Sequence, residues 1–252
     1  MQAIGIIPAR YASSRFPGKP LINISGRSMI QRVYEQALQC PALKEVVVAT
    51  DDQRIFDHVS VFGKAVMTGT GHPSGTDRCE EALRLLNDAD SYTENDIVVN
   101  IQGDEPFIDP QQIQQLISGF SDPGRHIVSL KKEICSQTDI ENPNVVKVVC
   151  DQSGNAIYFS RSPIPFIRSK SFESVPQNTY FKHLGMYGYR IQTLKEIVTL
   201  PPGRLEQLES LEQLRWLENG YKIFMQTTRL ENISIDTPED LKKIPANPDK
   251  TA

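Results

Sequence analysis

Apolar runs of strand length alternate with amphipathic stretches along the first half of the chain. Ile4-Gly5-Ile6-Ile7, Val46-Val47-Val48-Ala49 and Ile97-Val98-Val99 are continuous, largely β-branched runs. Such runs predict strands buried on both faces, the signature of a parallel sheet. Between them lie helical periods. Ser28-Met29-Ile30-Gln31 reads as a capping box that opens a helix with Met29, Ile30, Val33, Tyr34, Ala37 and Leu38 on one face, stopped by Pro41. Asp109-Pro110 caps a second helix that places Ile113, Leu116, Ile117 and Phe120 at helical spacing. Shorter helices are predicted near 53–62 and 77–88, with a strand around 65–67. This alternation predicts an α/β, doubly wound sheet.

From about 125 to 195 the texture changes. Strands follow one another at 127–131, 145–150, 156–159 and 183–190 without long helices between them, and Asp151 to Asn155 reads as a hairpin turn. This is a β-rich excursion. Residues 168–179 have no period and predict a mobile loop. A continuous acidic helix is then predicted over 206–217, closed by Asn219-Gly220. A strand near 222–228 leads to a last helix capped by Thr237 with Pro238 at its first position, and 245–252 reads as frayed. The expectation for 1–252 is a single α/β domain with its excursion.

Composition changes this picture little. Of 252 residues, 39% are hydrophobic and 23% charged, as in a globular protein, and no run approaches the roughly 18 apolar residues of a membrane span. No secretion signal is read at the N-terminus, so the chain is expected to stay in the cytoplasm. The cysteines (Cys40, Cys79, Cys135, Cys150) form no C-x-x-C pair and are expected to be free thiols; the four histidines show no zinc spacing.

Charge is distributed unevenly. Residues 1–34 carry Arg10, Arg15, Lys19, Arg27 and Arg32 and no Asp or Glu, in a chain of formal net charge −4. The loop after the first strand therefore reads either as an anion cradle or as a solvated basic loop. It is neither a P-loop nor a dinucleotide fingerprint, because Pro20 follows Gly18-Lys19 and no G-x-G-x-x-G is present. Side chains must supply much of its positive field. One local basic loop in an acidic chain disfavours nucleic acid as a partner.

Three further loops can meet this one at the carboxyl edge of a sheet, where open α/β folds bind ligands. His72 to Arg78 is rich in hydrogen-bonding groups, with a helix cap as the simpler reading. Asp104 follows the most buried-looking strand, and Asp236 precedes the last helix, where it serves either as a ligand or as part of a cap. Two carboxylates beside a cationic cradle are what metal-assisted nucleotide transfer requires, since Mg²⁺ prefers carboxylate, water and phosphate oxygens.

These motifs together closely resemble the 3-deoxy-manno-octulosonate cytidylyltransferase (CMP-Kdo synthetase) family. The resemblance runs through I-P-A-R-Y-A-S-S-R-F-P-G-K-P-L (7–21), A-T-D-D (49–52), H-P-S-G-T-D-R (72–78), N-I-Q-G-D-E-P (100–106), S-R-S-P-I-P (160–165), H-L-G-M-Y-G-Y-R (183–190) and I-D-T-P-E-D-L (235–241). Arg27-Ser28 stands where Lys-Pro is commoner, and Pro73 varies a tolerant position. The resemblance implies a Rossmann-like mixed sheet of the nucleotide-diphospho-sugar transferase type. It also implies transfer of CMP from CTP to the 2-hydroxyl of Kdo for lipopolysaccharide synthesis, dependence on Mg²⁺, and a homodimer. It places Arg10, Arg15 and Lys19 on the triphosphate and Pro8, Ala9, Ser74, Gly75 and Arg78 around the cytidine. Asp104 and Asp236 would hold metal. Gln102, Arg161, His183, Tyr187, Glu212 and Gln213 would meet the sugar acid, with Arg161 on its carboxylate and a neutral His183 hydrogen-bonding the sugar. No obligatory general base is expected, since Mg²⁺ could lower the pKa of the attacking hydroxyl enough to make one unnecessary; His183 is the counter-candidate. Sialic-acid or amino-sugar transferases, same-fold enzymes using another nucleotide, and a non-catalytic sensor are the alternatives; a sensor would be expected to lose one of the metal carboxylates.

Overall fold

The computed structural model describes residues 1–12, 16–86, 92–168, 176–231 and 233–244. Its centre is a mixed sheet. Strands β1 (Ala3–Ala9), β4 (Glu45–Thr50), β5 (Ala65–Met67) and β6 (Ile97–Asn100) run parallel, with β1 between β4 and β6. Next to β6 comes β10 (Phe181–Arg190), antiparallel to it, then β7 (Ile127–Glu133) and β11 (Ile223–Thr227). The short strands β2 (Asn23–Ile24) and β3 (Arg27–Ser28) form a separate ribbon.

Side chains on successive strand positions point to opposite faces, which builds two cores. On β1, Ala3, Ile7 and Ala9 enter the core shared with α1 (Met29–Leu38), α2 (Gln53–Ser60) and α4 (Pro110–Ser118). Ile4 and Ile6 enter the other, shared with α3 (Gly75–Leu86), α6 (Ile191–Ile197) and α8 (Gln213–Glu218). Helices thus cover both faces of the sheet. The apolar periods of α1 and α4 are buried as their spacing predicts, except that Leu38 is exposed. Ser28 caps α1 by accepting the Gln31 amide at 3.2 Å, but the Gln31 side chain turns to Glu35, so half of the predicted capping box forms.

Two expectations are corrected. The β-rich stretch does not stand apart as a whole: β7 and β10 lie inside the central sheet, and only β8 (Lys147–Cys150) and β9 (Ala156–Ser160) branch from it, β8 against β10 and β9 against β8. The predicted helix over 206–217 is broken. It forms α7 (Arg204–Glu209) and α8, with Ser210 between them in the left-handed region at φ 52°. The segment after Thr237 is a 3-10 helix, Pro238–Lys243. Most of the loop predicted as mobile, and the frayed end, lie outside the described residues.

Candidate active site

β1, β4, β5 and β6 all deliver their carboxyl ends to one edge, where the segments after β1, β5 and β6, with Asp236, line a cleft of about 240 Å³. Each loop has its own anchor. In the cationic loop the amide of Gly18 donates to the Tyr11 carbonyl at 3.0 Å, with Gly18 at φ 73°. A Cβ there would lie 3.0 Å from the Tyr11 hydroxyl, so the turn needs glycine twice over. The Tyr11 ring lies 3.3 Å beneath the Arg54 guanidinium, which Asp52 grips at 2.9 and 2.6 Å. Asp52 of the A-T-D-D motif thereby holds the loop that carries Arg10 and Lys19. Asp51, its neighbour, bonds Arg78 at 2.8 Å, and Arg78 also donates to Thr68 at 2.6 Å.

Lys19 joins the loop to the carboxylates. Its ammonium is 2.9 Å from Asp104 and 3.5 Å from Asp236. Asp104 follows β6 through Gly103, where a Cβ would stand 2.9 Å from the Pro8 carbonyl oxygen. The two strand-end loops touch backbone to backbone. Asp236 reaches the same point because the Ile235 amide donates to the Asp104 carbonyl at 2.9 Å and the Ile235 side chain is fully buried with Ile24 and Met29. Asp240 accepts the amides of both Asp236 and Thr237, leaving capping of the last helical turn largely to another carboxylate.

Behind the cleft, Ser74 and Thr76 donate to the Glu212 carboxylate at 2.8 and 2.9 Å, and Arg215 approaches it at 3.1 Å. Burial raises the Glu212 acid above its ordinary value against those three partners. The left-handed Ser210 breaks the helix and lets Glu212 enter from the N-terminal end of α8. His183, Tyr187 and Trp216 form an aromatic chain with centroids 5.1 and 5.0 Å apart. Desolvation pushes the His183 ring down to about 3, so it is neutral at ordinary pH, and Ser129 is its hydrogen-bond partner at 3.0 Å. A register shift between Leu184 and Tyr187 bulges β10 here, and Gln102 ties the bulge to β6 by donating to the Gly185 carbonyl at 2.7 Å.

Pro8, Ala9, Arg10, Lys19, Ser74, Gly75, Arg78, Gln102, Asp104 and Asp236 all line the cleft. Arg15 lies outside the described residues. Glu212 backs the cleft through Ser74, whereas His183, Tyr187 and Gln213 lie deeper, Tyr187 and Gln213 each with a buried polar atom lacking a partner. Arg161 is not part of the lining: its guanidinium donates to the carbonyls of Glu209, Pro143 and Ser210 at 2.8, 2.9 and 3.3 Å, at the break between α7 and α8. Sequence reasoning gave no role to His72, which also lines the cleft and pairs with Glu81 of α3. The only signal for that pair is its spacing, and it becomes readable once Gly75 is known to start the helix.

Fixed cations on one wall and two carboxylates on another can hold a polyphosphate chain, and a mixed α/β sheet that presents them at its carboxyl edge is the framework of a nucleotidyltransferase. The chain belongs to the cytidylyltransferase family, whose model matches residues 4–223. Within that family the 3-deoxy-manno-octulosonate cytidylyltransferase of Parabacteroides distasonis is 54% identical, with 96% of each chain covered. The enzyme of the same name from Thermodesulfovibrio yellowstonii is 51% identical, again over 96% of each. A solved structure of CMP:2-keto-3-deoxy-manno-octonic acid synthetase complexed with CTP superimposes over 100% of both chains, with a TM-score of 0.89 and 42% identity.

Proposed function

We propose that this protein activates Kdo with CTP: the sugar 2-hydroxyl attacks the α-phosphorus and gives up its proton to solvent, a bond from that oxygen to phosphorus forms, the bond from the α-phosphorus to the bridging oxygen breaks, and pyrophosphate leaves with CMP-Kdo as product. The observation that carries the reading is the meeting of Arg10, Lys19, Asp104 and Asp236 in one cleft, in a chain about half identical to enzymes of that name. Pyrophosphate release, measured for four nucleoside triphosphates against a panel of sugar acids, tests it. No release from CTP and Kdo with Mg²⁺, while the protein is folded, would sink it.

In this reading the chain binds and orients. Arg10, Arg15 and Lys19 take the triphosphate, and Pro8, Ala9, Ser74, Gly75 and Arg78 surround the cytidine. Gln102, Arg161, His183, Tyr187, Glu212 and Gln213 receive the sugar acid, His183 as a neutral hydrogen-bonding group. Catalysis is then mostly positioning and charge stabilisation, as in other phosphoryl transfers. Asp104 and Asp236 are the residues that would hold Mg²⁺, and they fit it: they are hard oxygen ligands, and the Lys19 ammonium already lies against both. Among the described residues no cluster of three or more His, Cys, Asp or Glu forms a metal cage, as suits an ion that takes one or two carboxylates and completes its shell with water and phosphate. What Mg²⁺ supplies when bound is positive charge against the phosphate oxygens.

A homodimer is part of the same proposal. Ile157 on β9, Phe166 and Leu208 on α7 are 61%, 85% and 72% exposed, large apolar side chains on and around the hairpin that leaves the sheet. Exposed apolar surface of this kind beside a strand with one partner is suited to a second copy. A monomeric mass by light scattering at micromolar concentration would refute it. A cytoplasmic location accords with four free thiols, and among the described residues no helix is long and apolar enough to cross a membrane.

A further inference from the structure

His72 lines the cleft beside Pro73, Ser74 and Gly75, the segment assigned above to the cytidine. One ring nitrogen, Nε2, is engaged by the Glu81 carboxylate. Glu81 also accepts the Gly69 amide at 2.8 Å and lies 3.7 Å from Arg84, so the group that fixes His72 is itself held at two further points. The neighbouring imidazole and the Gly69 amide hold the Glu81 acid below its ordinary value, keeping it a carboxylate that accepts. A neutral imidazole donating through Nε2 to a carboxylate presents Nδ1 as a lone-pair acceptor. The ring is only partly exposed, with 20% of its side-chain surface accessible. Nδ1 has no partner among the described residues.

We propose that His72, held in one tautomer by Glu81, selects the pyrimidine by accepting a hydrogen bond from the 4-amino group of cytosine. Uracil carries a 4-oxo group there, which would place two acceptors face to face. The inference rests on the reading of the cleft as the CTP site and deepens it. Arg78 cannot accept from the amino group, since a guanidinium donates only, and its own donors reach Thr68, Gly69 and Asp51. The Ser74 hydroxyl donates to Glu212 and already accepts the Thr76 and Asp77 amides, and Thr76 is buried behind the cleft.

The experiment compares CTP, UTP and the triphosphate of the 2-pyrimidinone riboside, which lacks the amino group, as substrates with Kdo. Wild-type turnover of CTP comes first, and its absence would count against the function rather than against His72. The wild type should prefer CTP to the deaminated analogue by about ten- to hundredfold in kcat/KM, the range expected for one buried hydrogen bond. His72→Phe keeps a flat ring without the acceptor. It should lose that preference and narrow the CTP-to-UTP ratio by the same factor, with its melting temperature measured alongside. An equal loss for all three nucleotides, or an unchanged ratio, would overturn the proposal. Independent of any variant's folding, ¹⁵N-histidine NMR of the wild type should show the His72 Nδ1 resonance moving on addition of CTP. A resonance unmoved at saturating CTP would likewise refute it.

Discussion

Asp236 is tied to Asp104 through the chain as well as through a shared cation: the amide of the residue before Asp236 donates to the carbonyl of Asp104 at 2.9 Å, and both carboxylates face the Lys19 ammonium. The backbone bond sets their separation independently of what lies between them. Asp104→Asn and Asp236→Asn preserve size and that bond. Both variants should fold, with melting temperatures within a few degrees of wild type, while kcat falls by about two decades or more. Partial recovery at high Mn²⁺ would mark a direct ligand. If Asp236→Asn instead melts early but turns over normally at limiting Mg²⁺, Asp236 is only part of the cap.

Gly103 offers a steric test of the same edge. A methyl group at this position would press on the Pro8 carbonyl oxygen at 2.9 Å, and backbone yields less readily than a side chain. Gly103→Ala should destabilise the protein by about 1–3 kcal/mol, as overpacking of a filled interior does, and raise the KM for CTP. Denaturant unfolding and initial rates at varied CTP report the two effects separately.

Arg161 stands at the break between α7 and α8, bonded to three carbonyls, yet the proposed function gives it the sugar carboxylate. Arg161→Lys separates the two roles, because an ammonium keeps charge but cannot span three acceptors in a plane. A sugar contact predicts a higher KM for Kdo and unchanged KM for CTP. A purely structural role lowers the unfolding free energy by about 1 kcal/mol for each lost bond, seen as an earlier melt, and leaves both KM values alone.

His183 makes stability depend on pH. In the folded chain the ring is pushed down to about 3 by desolvation, against 6.5 when exposed. Between those values the unfolded chain binds a proton that the folded one refuses, so stability is complete above about 6.5 and declines as pH falls through the window. His183→Gln should flatten the acid limb of a melting-temperature profile between pH 6.5 and 3. An unchanged profile would mean that the folded ring accepts its proton freely.

Much of this arrangement is legible in the sequence, and the failures share a cause. β1, β4 and β6 can be read because continuous β-branched runs have few alternatives, and the residues after them can be placed because parallel strands put their carboxyl ends on one edge. The position of β7 and β10 inside the sheet cannot be read locally, since it depends on Tyr187 lying opposite Asn100 and Ser129. The break at Ser210 is invisible for the same reason. Leu208, Leu211, Leu214 and Leu217 keep a helical rhythm through it, and the contacts that favour the break come from elsewhere: Ser160 and Arg161 on Glu209, Ser74 and Thr76 on Glu212. Asp52 caps α2 by accepting the Arg54 amide, and that cap, like its grip on the Arg54 side chain above Tyr11, appears only in three dimensions.

The Lys19 ammonium between Asp104 and Asp236 gives the ligand-free protein an internal counterion. Two carboxylates held together without one would repel each other and strain the segment that brings Asp236 in. With it, the cleft holds its two carboxylates together, and under the proposed function a divalent ion held by Asp104 and Asp236 would take the place of the Lys19 ammonium, leaving Lys19 to face the phosphates. Affinity for the metal and for the nucleotide would then be linked, each easing the entry of the other by finding Lys19 a new partner.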